Sequence, residues 1–134
     1  MYLLNIGDII DIHKEAIEMF GGSPSYYHNT QDKIDSIIAQ QYPYFGYDKY
    51  STIFEKAAML WYFITKGHCF VDGNKRVAFY AAATLLKING YRDTANDDEA
   101  YDKAIQIACG EFSGTHLDLY IYELAHWLRD RFIS

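Results

Sequence analysis

The segment "GHCFVDGNKRVAF", Gly67 to Phe79, brings a histidine, a carboxylate, a glycine and an Asn-Lys-Arg triplet into one short stretch. His68 is the only histidine of the chain flanked by a carboxylate and two cations. An imidazole, with an ordinary pKa near ~6.5, suits proton abstraction at neutral pH. Asp72 is a candidate ligand for Mg²⁺, which binds through one or two carboxylates together with substrate phosphates. Gly73 and Asn74 tolerate left-handed backbone, so successive N–H groups can converge on an anion. Lys75 and Arg76 then open the next helix, where a cation opposes the macrodipole at a cost of about 0.3–1 kcal/mol unless an anion is bound. A phosphate there would meet backbone donors, the dipole and both cations together. Taken singly, each residue also has a plain structural reading: His68 caps a helix end, and Asp72 precedes a glycine in a turn. Their order is what points to phosphate chemistry.

Within the polar run, Phe70 reads as the anchor that pins the loop to a core. Cys69 reads as a small filler, since it lacks the neighbouring base a nucleophilic thiol needs. "DGNKRV" lacks the G-x-x-x-x-G-K-[ST] spacing of a P-loop, and the chain has neither the Gly-rich loop nor the H-R-D signature of an ordinary protein kinase. His13, His28, His116 and His126 show no metal pairing and read as surface or packing residues.

Positioning such a loop requires two rigid elements around it, and the flanking sequence supplies them. Thr52 and Glu55 form a T-x-x-E capping box ahead of the apolar run Ala57 to Ile64, with Gly67 as the stop. "RVAFYAAATLLKING" is alanine- and leucine-rich and ends at Asn89-Gly90. Both helices are apolar on most faces and so belong in the centre. Around them, apolar residues from Ile6 to Phe20 follow helical spacing up to Gly21-Gly22. Asn29 or Thr30 caps a helix carrying Ile34, Ile37 and Ile38. Asn96 and Glu99 open another that closes at Gly110, and Thr115 caps a last one with a stripe from Leu117 to Phe132. "QYPYFGYDKYS" has no helical period and reads as an extended loop or short hairpin. The expected architecture is all-α: about six helices around two buried ones, with a short flap segment, in one domain spanning 1–134.

The 134 residues are half hydrophobic and 17% aromatic, enough to bury a core without staples. A net charge of -6 argues against a broad basic face for nucleic acid or anionic lipid, so any anion site is local. Two distant cysteines outside any CxxC pair read as reduced thiols. With a start that lacks a basic leader and no apolar run near the roughly 20 residues of a membrane span, the expectation is a cytoplasmic protein.

"HCFVDGNKR" resembles the H-x-F-x-[D/E]-x-N-[G/K]-R signature of the Fic/Doc superfamily, nearer its death-on-curing (Doc) branch, where lysine follows the asparagine. "IGDIIDIHKEAIEMFGG", "FEKAAMLWYFITKGHCFVDGNKRVAFYAAATLLKINGY" and "DDEAYDKAIQIACGE" are similar to successive parts of death-on-curing toxins. The resemblance implies His68 as general base, Asp72 as holder of Mg²⁺, an anion hole lined by Gly73, Asn74 and Lys75, and Arg76 as a phosphate clamp. It also implies a flap that docks target peptide by strand addition, here at Tyr44, Phe45, Gly46 and Tyr47. Three departures stand out: Cys69 where proline is frequent, "SPSYYHNTQDKIDS" without the usual Gly-Leu-rich wording, and Phe79 where AMP-transferring Fic enzymes carry a second arginine. Lys75 and Phe79 together are the Doc pattern, which goes with transfer of the γ-phosphate of ATP. The resemblance thus implies a toxin that phosphorylates a Ser/Thr hydroxyl of a translation protein, elongation factor Tu by family precedent, and is held by a separate antitoxin. The rival expectations are AMP or UMP transfer by the same fold, and a non-catalytic helical interaction module. The self-inhibitory pattern [S/T]-x-x-x-E-[G/N] of some Fic proteins is matched only up to Glu55, which Lys56 follows.

Overall fold

Residues 1–134 are all described by a computed structural model. Helix α1 (Ile6–Phe20) opens the chain and is followed by α2 (Thr30–Ala39), α3 (Ile53–Gly67) and α4 (Asn74–Ile88). After the short strand β1 (Arg92–Asp93) come α5 (Asp97–Cys109), α6 (Gly114–Arg131) and β2 (Phe132–Ile133). Six helices with α3 and α4 inside is the expected all-α arrangement. The two-residue antiparallel ladder, Arg92 opposite Ile133 and Asp93 opposite Phe132, was not expected. Thr94 reinforces it, giving both its N–H and its hydroxyl to the Arg131 carbonyl.

The apolar run from Ala57 to Ile64 has no polar face because α3 is enclosed on nearly every side, with only Phe63, Lys66 and Gly67 partly exposed. It packs on α4 most extensively, then on α6, α2 and α5. Ala57, Ala58, Met59, Leu60, Trp61 and Ile64 are all fully buried. Alanines at 78, 81 and 82 let the α4 backbone approach closely and are themselves buried. Trp61 fills the space beside them, meeting Phe79 and Trp127 edge-on with ring centroids 5.0 and 5.4 Å away. α1 closes the near side by packing on α4 and α2.

Several helix ends differ from expectation. At α3, Thr52 does accept from the Glu55 N–H, but the Glu55 carboxylate reaches back to Ser51 N–H, so the box closes one residue early. Its C-cap is not Gly67 but His68, at φ 46° and ψ 52°. At α5, Asn96 caps two N–H groups, while Glu99 turns away to pair with Arg131 at 3.1 Å. α6 starts at Gly114, so Thr115 lies inside the helix and caps nothing. A reciprocal capping box that the sequence reading passed over, Asn5 with Asp8, starts α1.

The 42–51 stretch is a tight hairpin turn: Tyr44 and Tyr47 exchange two backbone hydrogen bonds of 2.8 and 3.0 Å. Phe45 and Gly46 both take positive φ, 48° and 77°, as a two-residue type I′ hairpin turn requires. It hangs from the N-terminal end of α3, where buried Lys56 donates to the Gln41 carbonyl and to Asp48.

Candidate active site

The loop from Gly67 to Gly73 carries the candidate residues, and its backbone is held at almost every step. Lys33 of α2 donates to the Gly67 and His68 carbonyls at 3.0 and 3.4 Å, placing a cation where α3 leaves its C-terminal carbonyls open. The Thr30 hydroxyl donates to the Cys69 carbonyl and accepts from Tyr27 N–H. Phe70 is fully buried, as an anchor must be, and the Asn74 side chain clamps its backbone from both sides. Asn74 Oδ1 accepts from Phe70 N–H at 3.0 Å, and Nδ2 donates to its carbonyl at 2.8 Å. Tyr26 forms a single antiparallel β-bridge with Phe70, so the segment after α1 lies along the loop.

Of these supports, Lys33 carried no signal in the sequence beyond ordinary helix polarity, and Thr30, a candidate cap of α2 there, turns its hydroxyl to the loop instead. A third, His13, read there as a surface or packing residue. It is buried, stacks face to face on Phe70 (centroids 3.9 Å apart, planes 5° apart) and donates from Nε2 to the Asp72 carbonyl at 3.1 Å. Burial pushes its imidazole below the ordinary histidine value, partly offset by that hydrogen bond and the Asp72 charge. The i, i+3, i+4 spacing on α1 could have placed His13 on the inner face. Nothing in it says what stands opposite.

On this frame His68 is exposed and its imidazole makes no hydrogen bond to the protein. Asp72 is exposed too, and its Oδ2 accepts from Ser23 N–H at 2.8 Å, leaving Oδ1 uncommitted. Gly73 takes φ 84° as the N-cap of α4 and offers no side chain to the helix end. The backbone N–H groups of Gly73, Asn74, Lys75 and Arg76 therefore have no protein acceptor. Lys75 and Arg76 are exposed in a first turn without any acidic residue. The Arg76 guanidinium lies over the Phe20 ring, 4.2 Å from its centroid, and makes no hydrogen bond to the protein. At the start of α4 the backbone donors and both cations are therefore uncommitted. Asn74 contributes only its N–H, because its amide is committed to Phe70.

The Cys69 thiol is buried and pushed above its ordinary pKa, with Lys33 pulling weakly the other way, which fits a filler. Phe79 is half-buried against Trp61 and leaves that position of α4 without a cation. No three His, Cys, Asp or Glu side chains converge as a metal cage. A lone carboxylate with one uncommitted oxygen fits Mg²⁺ shared with a nucleotide's phosphates, which needs no dedicated cage.

The expected docking hairpin is not brought to this site. Tyr44, Phe45, Gly46 and Tyr47 stand beyond the opposite end of α3, on the order of 20 Å from His68 given 1.5 Å per helical residue. The segment that does flank the loop is Ser23 to Tyr26. The reason is α2, which runs antiparallel to α3: Lys33 meets α3's last residues, and Gln41 meets its first turn. Phe45 is nonetheless 92% exposed in a backbone conformation that costs a non-glycine residue energy.

The second helix of this helix-loop-helix thus begins with free N–H groups, two cations and a preceding carboxylate. Residues 3–86 match the model of the Fic/DOC family, and the chain belongs to that family. It is 41% identical over 66 residues to "Toxin Doc" of Mycolicibacterium smegmatis (strain ATCC 700084 / mc(2)155). That match covers 48% of this chain and only 51%, about half, of the relative. It is 28% identical over 106 residues to "Protein kinase doc" of Escherichia phage P1, covering 79% of this chain and 82% of the relative. No helix is long and apolar enough to cross a membrane.

Proposed function

We propose that this chain is a Doc-type toxin of a toxin–antitoxin pair that transfers the γ-phosphate of ATP to a Ser/Thr hydroxyl of a protein. The observation that carries this reading is the start of α4: four N–H groups without acceptors, no side-chain cap, and Lys75 and Arg76 in the first turn. A helix begun this way is stabilised by a polyphosphate and by little else. The name of the phage P1 relative, "Protein kinase doc", favours phosphoryl transfer. So does Phe79, which stands on α4 where AMP-transferring Fic enzymes carry a second arginine for the nucleotide phosphates.

In this reading His68 accepts the proton of the acceptor hydroxyl as its oxygen bonds to the γ-phosphorus. The bond from that phosphorus to the β–γ bridging oxygen breaks, and ADP leaves. Lys75, Arg76 and the N–H groups of Gly73 to Arg76 neutralise the charge on the phosphates. Asp72 Oδ1 would hold Mg²⁺, which supplies further charge neutralisation on the phosphate oxygens. The acceptor chain would dock at the exposed Tyr44–Tyr47 hairpin; about six extended residues would span from there to His68. A translation protein, elongation factor Tu in the first instance, is the proposed acceptor, and the site of action the cytoplasm. Restraint falls to an antitoxin in trans: Glu55 is buried at the far end of α3 from Arg76 and bonded to Ser51.

Intact-mass analysis of bacterial lysate incubated with purified protein and ATP tests the reaction. A phosphate increment on a protein of the translation machinery is expected. An AMP increment would replace this reading with nucleotidyl transfer, and no increment would leave a binding module.

A further inference from the structure

We propose that His13 is a positioning residue for the loop: its Nε2–H, given to the Asp72 carbonyl while its ring stacks on Phe70, fixes the backbone that presents Asp72 and the start of α4. Two independent contacts carry this. The face-to-face stack, 3.9 Å between centroids, holds the ring against the anchor, and the 3.1 Å hydrogen bond ties the same ring to the residue before Gly73. A carbonyl oxygen only accepts, so Nε2 must carry the proton. The contact spans 59 positions of sequence and joins α1 to the loop. Asp72 is otherwise tied only through its carboxylate, to Ser23, and that group is the one a cation would draw away. His13 is therefore the support of Asp72 that survives when the carboxylate is engaged.

The inference rests on the proposed phosphate site for what the loop presents, but its test does not require transfer. In the full-length chain, His13→Phe keeps a stacking ring and deletes the donor, whereas His13→Gln keeps a donor at similar reach and deletes the ring. Amide hydrogen exchange of residues 68–77, melting temperature and transfer rate are measured for both. In His13→Phe, exchange at Phe70 and Val77, the hydrogen-bonded amides that bracket the loop, is expected to accelerate about fivefold, the size of one lost hydrogen bond, with melting lowered by no more than about 3 °C. The turnover number should fall with a nearly unchanged Michaelis constant for ATP, and His13→Gln should recover part of it. Parental exchange and turnover in His13→Phe would reduce His13 to packing and overturn the proposal. Should both variants fail to fold, nitrogen chemical shifts of His13 in the unaltered protein decide it: the Nε2–H tautomer supports the role, and Nδ1–H overturns it. If the parent transfers nothing while the exchange result holds, the reading of the reaction falls and the positioning role stands.

Discussion

His68 occupies the left-handed C-cap of α3, where glycine is the usual residue because a Cβ there costs about 1–2 kcal/mol. The helix does not require a histidine there, so the strain is consistent with a use for the imidazole. Replacing it should separate the two effects. His68→Gly is expected to raise the melting temperature by about 3 °C, the equivalent of roughly 1 kcal/mol in a chain of this size, and to abolish transfer. A destabilised glycine variant in thermal melts would mean the ring is a structural cap after all. Arg76 presents the opposite case, since its guanidinium lies over the Phe20 face and makes no hydrogen bond to the protein. Arg76→Ala removes a charge-assisted donor worth roughly 1.5–3 kcal/mol, so ATP affinity by calorimetry should drop tenfold or more while the melting temperature does not fall. Unchanged affinity would place the phosphates elsewhere.

The loop behaves as an element because one side chain closes it: Asn74 satisfies both backbone groups of buried Phe70. Asn74→Ala strands a donor and an acceptor in the core at about 1–3 kcal/mol each. A fall in denaturant midpoint amounting to about 2 kcal/mol or more is expected, together with loss of transfer. A loss of transfer with full stability would instead make the Asn74 amide a ligand of the substrate. The sequence made α3 and α4 legible because two long apolar runs, one opened by Thr52 and the other closed by Asn89-Gly90, admit few other folds. It made the loop's chemistry legible too, since the acid, the glycine and the cations are local in sequence. The supports of that loop were not legible. Lys33, Thr30 and His13 act across helix packing, and periodicity reports which face is buried without naming its neighbour. The strand pair 92–93 with 132–133 is too short to show a period of two. The hairpin at 44–47 was visible as a non-helical aromatic stretch, but its distance from His68 depends on α2 running antiparallel to α3.

At the scale of the whole molecule, α3 and α6 meet around two buried phenols, Tyr62 and Tyr120. Tyr120 stacks on Phe112 at 4.1 Å, and burial, with nearby Tyr62 and Glu123, raises its pKa to about 12 from an ordinary 10.0. The folded state holds that proton more tightly than the unfolded chain, so the stabilisation is complete below pH 10 and fades as pH climbs towards 12. Thermal melts should show falling stability across that window, and Tyr120→Phe should flatten the decline; an identical slope in the variant would assign the loss to other groups. The uncapped start of α4 has a wider consequence. A fold that keeps Lys75 and Arg76 against its own helix dipole is less stable without ligand than its architecture permits, so selection for binding and selection for stability oppose each other at one position. Lys75→Glu should win on the second count and lose on the first. The free protein should melt a few degrees higher, as charge complementarity at a helix start predicts. Added ATP, which raises the melting point of the parent by mass action, should then leave that of the variant where it was.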